Sequence, residues 1–246
     1  MKHIIQYSCG SDIGKKRTLN QDNYSVNHQV MNKGKEHELV GCVKTEISET
    51  VLLGLFDGMG GEQSGEDASY IAAETASKWQ LGTFVNRDIF RLFRKCNEEI
   101  CRFQDEQKLQ SIGTTAAVIV FTKHDIVVGN IGDSRIYVKE DDGIRRISVD
   151  DLLPIPYKTK KPPLMQCLGI SPDEMLIEPH IKRLSYDGPK RFLICSDGLT
   201  DMVPEEEIFQ MLHRIPIERI SEELILRALK NGGNDNITVI VCDVLQ

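Results

Sequence analysis

Residues 51–61 read Val-Leu-Leu-Gly-Leu-Phe-Asp-Gly-Met-Gly-Gly. An apolar run, 51–56, stops at an acid, Asp57, and glycines follow at 58, 60 and 61. An apolar run of this length reads as a buried strand. Such a strand delivers the carboxylate to the rim of the core. The glycines after it let the backbone come close to a ligand, so that the carbonyl of Gly58 can also face it. A plain turn is the alternative, since Asp-Gly is a common turn dipeptide.

Three further strand-like runs carry an acid at one end. Residues 126–131 lead into Gly132-Asp133-Ser134, and 192–195 lead into Ser196-Asp197-Gly198. Gly232-Gly233-Asn234-Asp235-Asn236 precedes the apolar run 237–242. Carboxylates gathered at one rim repel each other and are costly to desolvate. Oxygen-seeking divalent cations relieve both penalties, and Mg²⁺ or Mn²⁺ suits sites made of carboxylates.

In order along the chain stand Arg17-Thr18-Leu19-Asn20-Gln21-Asp22, Asp57-Gly58-Met59-Gly60-Gly61, Gly113-Thr114-Thr115, the stretch from Gly129 to Arg135, Ser196-Asp197-Gly198-Leu199 and Asp235-Asn236-Ile237-Thr238. With these pieces in this order the sequence resembles the metal-dependent protein phosphatases of type 2C, in their bacterial form. The resemblance covers nearly the whole chain. It implies two packed antiparallel β-sheets flanked by pairs of α-helices. It implies hydrolysis of phosphoserine and phosphothreonine by a hydroxide bridging two Mn²⁺ or Mg²⁺ ions, with a third ion possible. Asp57 would bridge the metals and Gly58 would lend its carbonyl. Asp197 and Asp235 would ligate the second ion, and Asp133 would join Asp197 at a weaker third site. Asp22 would act through metal-bound water, Asn236 would orient Asp235, and Arg17 would grip the phosphate, as a guanidinium does bidentately.

The bulk numbers agree with an ordinary globular protein. The chain has 246 residues, 40% apolar and 27% charged, with a net charge of −7. That length is enough for one large core, and 1–246 is read as a single domain. The acidic balance argues against nucleic acid. No apolar run approaches the roughly 20 residues of a membrane span. The opening stretch turns polar too early for a secretory leader, so a cytoplasmic protein is expected. The seven cysteines form no C-x-x-C pair, which argues for reduced thiols over zinc or disulfides. Cys195 is read as a buried, inert thiol, and the six histidines show no metal spacing. Gly14-Lys15-Lys16 lacks the spacing and the Ser/Thr of a phosphate-binding P-loop. A KH-type loop at Gly129-x-x-Gly132 is rejected on the acidic chain and strand context.

The pass along the chain gives strands at 3–8, 23–27, 38–43, 51–57, 113–121, 125–131, 134–139, 144–149, 175–183, 190–195 and 237–244. Ser64 is expected to cap a first helix, with Asp67 at the capping-box position. Asn86 is expected to cap a second helix. Pro204 opens a third, and Ser221 caps a last one that stops at Gly232. Strands in a meander with grouped helices favour an α+β fold over strict βαβ alternation.

Two departures from the phosphatase pattern stand out. Met59 occupies a position where many members have histidine, and Met has no proton to give a leaving alkoxide. The flap, 150–163, is short, and it carries prolines 154, 156, 162 and 163 with Lys158, Lys160 and Lys161. Phosphoproteins made by a Ser/Thr kinase are the expected partners, and a monomer is the expected state. Two other classes fit the same residues. One is a non-catalytic relative that binds a partner through this fold; the other is a small-molecule phosphatase with the same site.

Overall fold

The computed structural model describes residues 3–47, 50–60, 64–80, 82, 84–109, 111–154, 162–188 and 190–245. Its centre is the strand read first. β5, Val51–Met59, is buried on both faces. Val51, Leu53 and Leu55 point into one core, while Leu52 and Phe56 point into another. That split follows from the two-residue period of a strand. It also explains why the run is apolar without alternation: each face has its own cover.

Two antiparallel sheets pack face to face. The first has the order β10 (Ile144–Arg146), β9 (Arg135–Lys139), β12 (Lys190–Cys195), β13 (Ile237–Leu245), β1 (Ile4–Asp12), β4 (His37–Glu46). The second has the order β11 (His180–Ser185), β8 (Asp125–Ile131), β7 (Ala116–Phe121), β5, β2 (Asp22–Val26), β3 (Gln29–Val30), with the short β6 (Gly113–Thr114) on the end of β5. Between the sheets lie Tyr7, Tyr24, Leu53, Phe121, Phe192 and Ile240. Phe121 and Phe192 meet edge to face, their centroids 6.0 Å apart, a favoured aromatic geometry.

Helices cover both outer faces. α1 (Gly65–Lys78) lays the small side chains Ala68, Ala72 and Ala76 on the second sheet, and α2 (Val85–Gln107) adds Ile89, Phe93, Cys96 and Ile100. The alanines let α1 approach the sheet closely, and the larger α2 residues fill the remaining space. On the first sheet, α4 (Glu205–Arg214) contributes Ile208 and Leu212, and α5 (Ile217–Lys230) contributes Ile220 and Leu224. Burying side chains of this size contributes about 1.5–3 kcal/mol each. The α+β sandwich expected from the sequence is the observed one.

Several local expectations are corrected. β5 does not turn at Asp57; it continues through Gly58 and Met59, which pair with β6. Ser64 does stand at the N-cap of α1, but its side chain makes no capping bond and its φ is 79°. Its carbonyl takes the N–H groups of Asp67 and Ala68 instead, and the Asp67 side chain pairs with Lys33. Asn86 lies inside α2, whose N-cap is Phe84; Asp88 accepts from the Gly82 N–H. Ser221 lies buried within α5, which starts four residues earlier, after Pro216. Strand structure in 144–149 ends at Arg146, and that in 175–183 begins only at His180. A one-turn helix, α3 (Asp197–Thr200), was not expected. Gly61, Pro156 and the flap lysines 158, 160 and 161 lie outside the described residues.

Candidate active site

The strand ends named above open onto one cleft of about 900 Å³. Asp57, Gly58, Asp133, Asp197 and Asp235 line it, together with Arg17 and Lys16 and with Pro162, Pro163 and Leu164. Each acid arrives by a short route from a sheet. Asp57 sits in β5 opposite Asp22 of β2. Asp133 follows β8 through Gly132, whose φ is +91°, a conformation that glycine adopts without strain. Asp197 opens α3 directly after β12, and Asp235 stands two residues before β13.

Asp57 is anchored through its main chain. The Thr115 hydroxyl accepts from the Asp57 N–H at 3.1 Å, and the Asp57 carbonyl accepts from the Thr115 N–H and the Thr114 hydroxyl, both at 2.9 Å. Gly58 is required by closeness, not by dihedral angle. A Cβ there would lie 2.2 Å from the Gly65 carbonyl oxygen and 2.4 Å from that of Gln21. No side chain fits between the two segments, so β5, α1 and the loop before β2 meet on bare backbone.

Beneath the floor lies Asp22, 2% exposed. Burial pushes its carboxyl well above the usual range, the charge of Asp235 adds to this, and hydrogen bonds from Thr238, Ser196 and Asp57 oppose it. The Ser196 hydroxyl donates to Asp22 Oδ2 at 2.9 Å. Ser196 in turn accepts from the Thr238 N–H, and Thr238 shares a 2.7 Å bond with Ser11. These hydroxyls were not singled out in the sequence. Thr238 was detectable as a polar residue within an apolar strand, and Ser196 and Thr238 stand inside quoted motifs; Ser11 lies beyond the strand expected at 3–8.

Asn236 touches Asp235 through its backbone, and its side chain has a further task that was not expected. Its backbone N–H donates to Asp235 Oδ1 at 2.9 Å. Its side chain holds the loop that bears Arg17: Nδ2 donates to the carbonyls of Ile13 and Leu19 at 2.9 Å, and Oδ1 accepts from the Gln21 N–H at 2.8 Å. Arg17 reaches over the floor and donates through Nη2 to Asp235 Oδ2 at 2.7 Å. Half of its side chain remains exposed.

The donors fit a hard divalent cation: four carboxylates and the backbone of Gly58 line the cleft, and all offer oxygen. Among the described residues no three His, Cys, Asp or Glu side chains are grouped to hold one ion. Mg²⁺-type sites do not need such a group, because these ions are usually held by one or two carboxylates and keep several waters. The cysteines do not compete for this role. Cys195 is fully buried, and burial pushes its thiol up to about 12. Asp151, buried under the Gly132 turn, was missed in the sequence, where it is only the second of two adjacent acids.

A sequence model described as protein phosphatase 2C matches residues 42–231. The Mycobacterium tuberculosis serine/threonine protein phosphatase PstP is 27% identical, over 99% of this chain and 46% of that protein. The Listeria innocua serine/threonine phosphatase stp is 29% identical, over 76% of this chain and 82% of that one. The chain thus spans about half the length of the first curated relatives it matches. A crystal structure of the PstP catalytic domain in complex with two manganese ions superposes with a TM-score of 0.80 at 28% identity, covering 99% of this chain and 100% of that one. With the matched span exceeding half of its length, the chain belongs to the protein phosphatase 2C family.

Proposed function

We propose that this chain is a metal-dependent phosphatase of phosphoserine and phosphothreonine in proteins. The observation that carries the reading is the cleft: four strand-end acids and Arg17 face one space of about 900 Å³, in a chain of the protein phosphatase 2C family. The solved PstP domain with its two manganese ions supports Mn²⁺ or Mg²⁺ as the cofactor. Asp57, the Gly58 carbonyl, Asp197 and Asp235 would hold two ions, with Asp133 and Asp197 at a third. When bound, such ions lower the pKa of water and stabilise charge on phosphoryl oxygens.

The chain's own residues do the rest. Arg17 is already placed over the floor, and its fork matches two phosphate oxygens. Its contact with Asp235 supports a guanidinium within reach of an anion lying over the acids. Burial makes Asp22 hold a proton more readily than a surface carboxyl, against the opposing hydrogen bond from Ser196. Met59 lines the cleft but has no proton to donate, so protonation of the leaving group falls to another group. Residues 162–164 line the same cleft as Arg17.

The same reading takes 1–246 as one domain, supported by the pairing of the first strand with the last. It takes the substrates to be products of Ser/Thr kinases, and the protein to be a cytoplasmic monomer. No described helix is long and apolar enough to cross a membrane. The test is hydrolysis of phosphothreonine peptides and p-nitrophenyl phosphate with Mn²⁺ and with chelator. Peptide turnover that needs Mn²⁺ and stops in chelator is expected. Undiminished turnover in chelator, or cleavage of small esters with no peptide cleaved, would overturn the reading.

A further inference from the structure

Asp151 is 5% exposed and lies outside the cleft lining, yet its bonds run to two parts of it. Toward the floor, its Oδ2 accepts from the Gly132 N–H at 2.8 Å, and its own N–H donates to the Gly132 carbonyl at 3.1 Å. Both amide groups around Gly132 are therefore fixed by one residue. Gly132 is the left-handed hinge that turns the chain from β8 into Asp133. A Cβ on it would lie 2.7 Å from the Thr115 methyl, so the hinge has one narrow seat.

Toward the wall, the Asp151 carbonyl accepts from the Met165 N–H at 2.7 Å. Leu153 N–H donates to the Pro163 carbonyl at 2.9 Å, and Leu152 bridges Leu164 in antiparallel fashion. This short ribbon carries Pro162, Pro163 and Leu164 into the cleft. The second carboxylate oxygen, Oδ1, accepts from Gln166 Nε2 at 2.9 Å and from His180 Nε2 at 2.8 Å. Gln166 then fixes Glu178 through both its N–H and its carbonyl. His180 stands at the start of β11, opposite Asn130 of β8.

We infer that Asp151 is a positioning residue that sets the Asp133 turn and the 162–164 wall together, so that binding of a divalent cation at Asp133 and capture of a phosphopeptide against that wall are coupled. The inference rests on the phosphatase reading only for what the two parts bind. The physical ground is that one buried carboxylate accepts three hydrogen bonds and cannot exchange one without disturbing the others. An amide in its place puts an N–H₂ against either Gly132 N–H or the Gln166 and His180 donors, and a buried donor facing a donor is left unpaired.

The test compares Asp151→Asn with Asp133→Ala in the full chain. NMR amide signals come first, without metal. Asp151→Asn is expected to shift the signals of Gly132, Asp133 and Met165 together and to leave those of Gly58 and Asn236 in place. Asp133→Ala is expected to leave the Met165 signal unmoved. In calorimetry with Mn²⁺, both variants should weaken the weakest site, and the double variant should lose no more than the greater single loss. For a phosphothreonine peptide, Asp151→Asn should raise KM about tenfold, the size of one lost charged hydrogen bond, with p-nitrophenyl phosphate changed far less. Signals that move only at Gly132, or metal and peptide effects that add independently, would overturn the coupling. If Asp151→Asn does not fold, Gln166→Leu removes one Oδ1 donor and should shift the Asp133 and Met165 signals together in smaller measure; no shift at Asp133 overturns it. A native protein that neither binds Mn²⁺ nor cleaves peptide would sink the phosphatase reading instead, and the amide signals would still decide the role of Asp151.

Discussion

The wall that carries Arg17 and the wall formed by residues 162–164 face the same acids, but the chain holds them by different means. The Arg17 loop is tied to Asn236 through three side-chain hydrogen bonds and to Gly233 through the Lys15 N–H at 2.7 Å. Gly14 lets it pass so close that a Cβ there would lie 2.2 Å from the Asp235 carbonyl. The 162–164 wall is tied to the Asp133 turn through Asp151. One wall is charged and is bonded to Asp235; the other is apolar and is bonded through Asp151 to the turn that bears Asp133. The difference teaches that substrate contacts and floor acids are built as two linked pairs, and each pair can be cut separately.

Removing the floor should have the largest effect. Asp57→Ala deletes a carboxylate whose backbone is held independently by Thr114 and Thr115, so the strand should survive. Activity with Mn²⁺ should fall by at least 10²–10³-fold, roughly the loss caused by removing one group aimed at developing charge. Asp235→Ala should cost a similar amount. Steady-state kinetics beside a thermal melt separates lost chemistry from lost folding. An Asp57→Ala protein with near-native turnover would refute the role given to the floor.

Cutting the charged wall from its anchor comes next. Asn236→Ala removes three bonds at a residue 4% exposed. At about 1 kcal/mol each, the loss should approach 2–3 kcal/mol, readable as a lower midpoint in urea. Because the freed loop bears Arg17, KM for a phosphopeptide should also rise several-fold. A destabilised protein with unchanged KM would show that the loop keeps its place without Asn236.

Legibility followed the same division. The four floor acids were readable because each ends an apolar run, and the run marks the strand that positions it. Arg17 was found by its motif, since nothing in a basic loop separates a phosphate clamp from a surface charge. What the sequence concealed depends on partners far along the chain. Asn236 bonds to residues more than 200 positions away. Asp151 joins segments that have no periodicity, because residues 162–178 form no strand longer than an isolated bridge. Helix starts were misplaced where capping side chains pointed elsewhere: Asn86 and Ser221 have the right chemistry, but packing set the ends of α2 and α5.

The charged wall can also be tested at its tip. Arg17→Ala removes a contact made to phosphate before and during reaction, so KM should rise with a smaller change in kcat. A charged hydrogen bond corresponds to about 1.5–3 kcal/mol, or roughly 10–100-fold in kcat/KM. Stability should hardly change, because the Arg17–Asp235 pair is half exposed on the arginine side and such pairs contribute about 0–1 kcal/mol. An unchanged kcat/KM would return Arg17 to the status of a surface charge.

The smallest effect is expected where floor and helix meet. Ser64 precedes α1 with φ 79° and no side-chain cap. Its next neighbour, Gly65, supplies the carbonyl that leaves no room for a side chain at Gly58. A left-handed backbone costs an L-residue roughly 1–2 kcal/mol relative to glycine, and no capping bond offsets that cost here. Ser64→Gly should therefore gain up to about 1 kcal/mol, since the added freedom of glycine in the unfolded chain takes back part of the relief. Ser64→Ala should be near neutral, in contrast to the loss of about 1 kcal/mol expected for a true N-cap serine. The two accounts give different values for both variants, a gain and no change under strain against no change and a loss under capping, so urea denaturation of the pair decides between them. If Ser64→Ala lost about 1 kcal/mol and Ser64→Gly gained nothing, the serine hydroxyl would be capping α1 in solution, and the backbone strain assigned to this junction would be wrong.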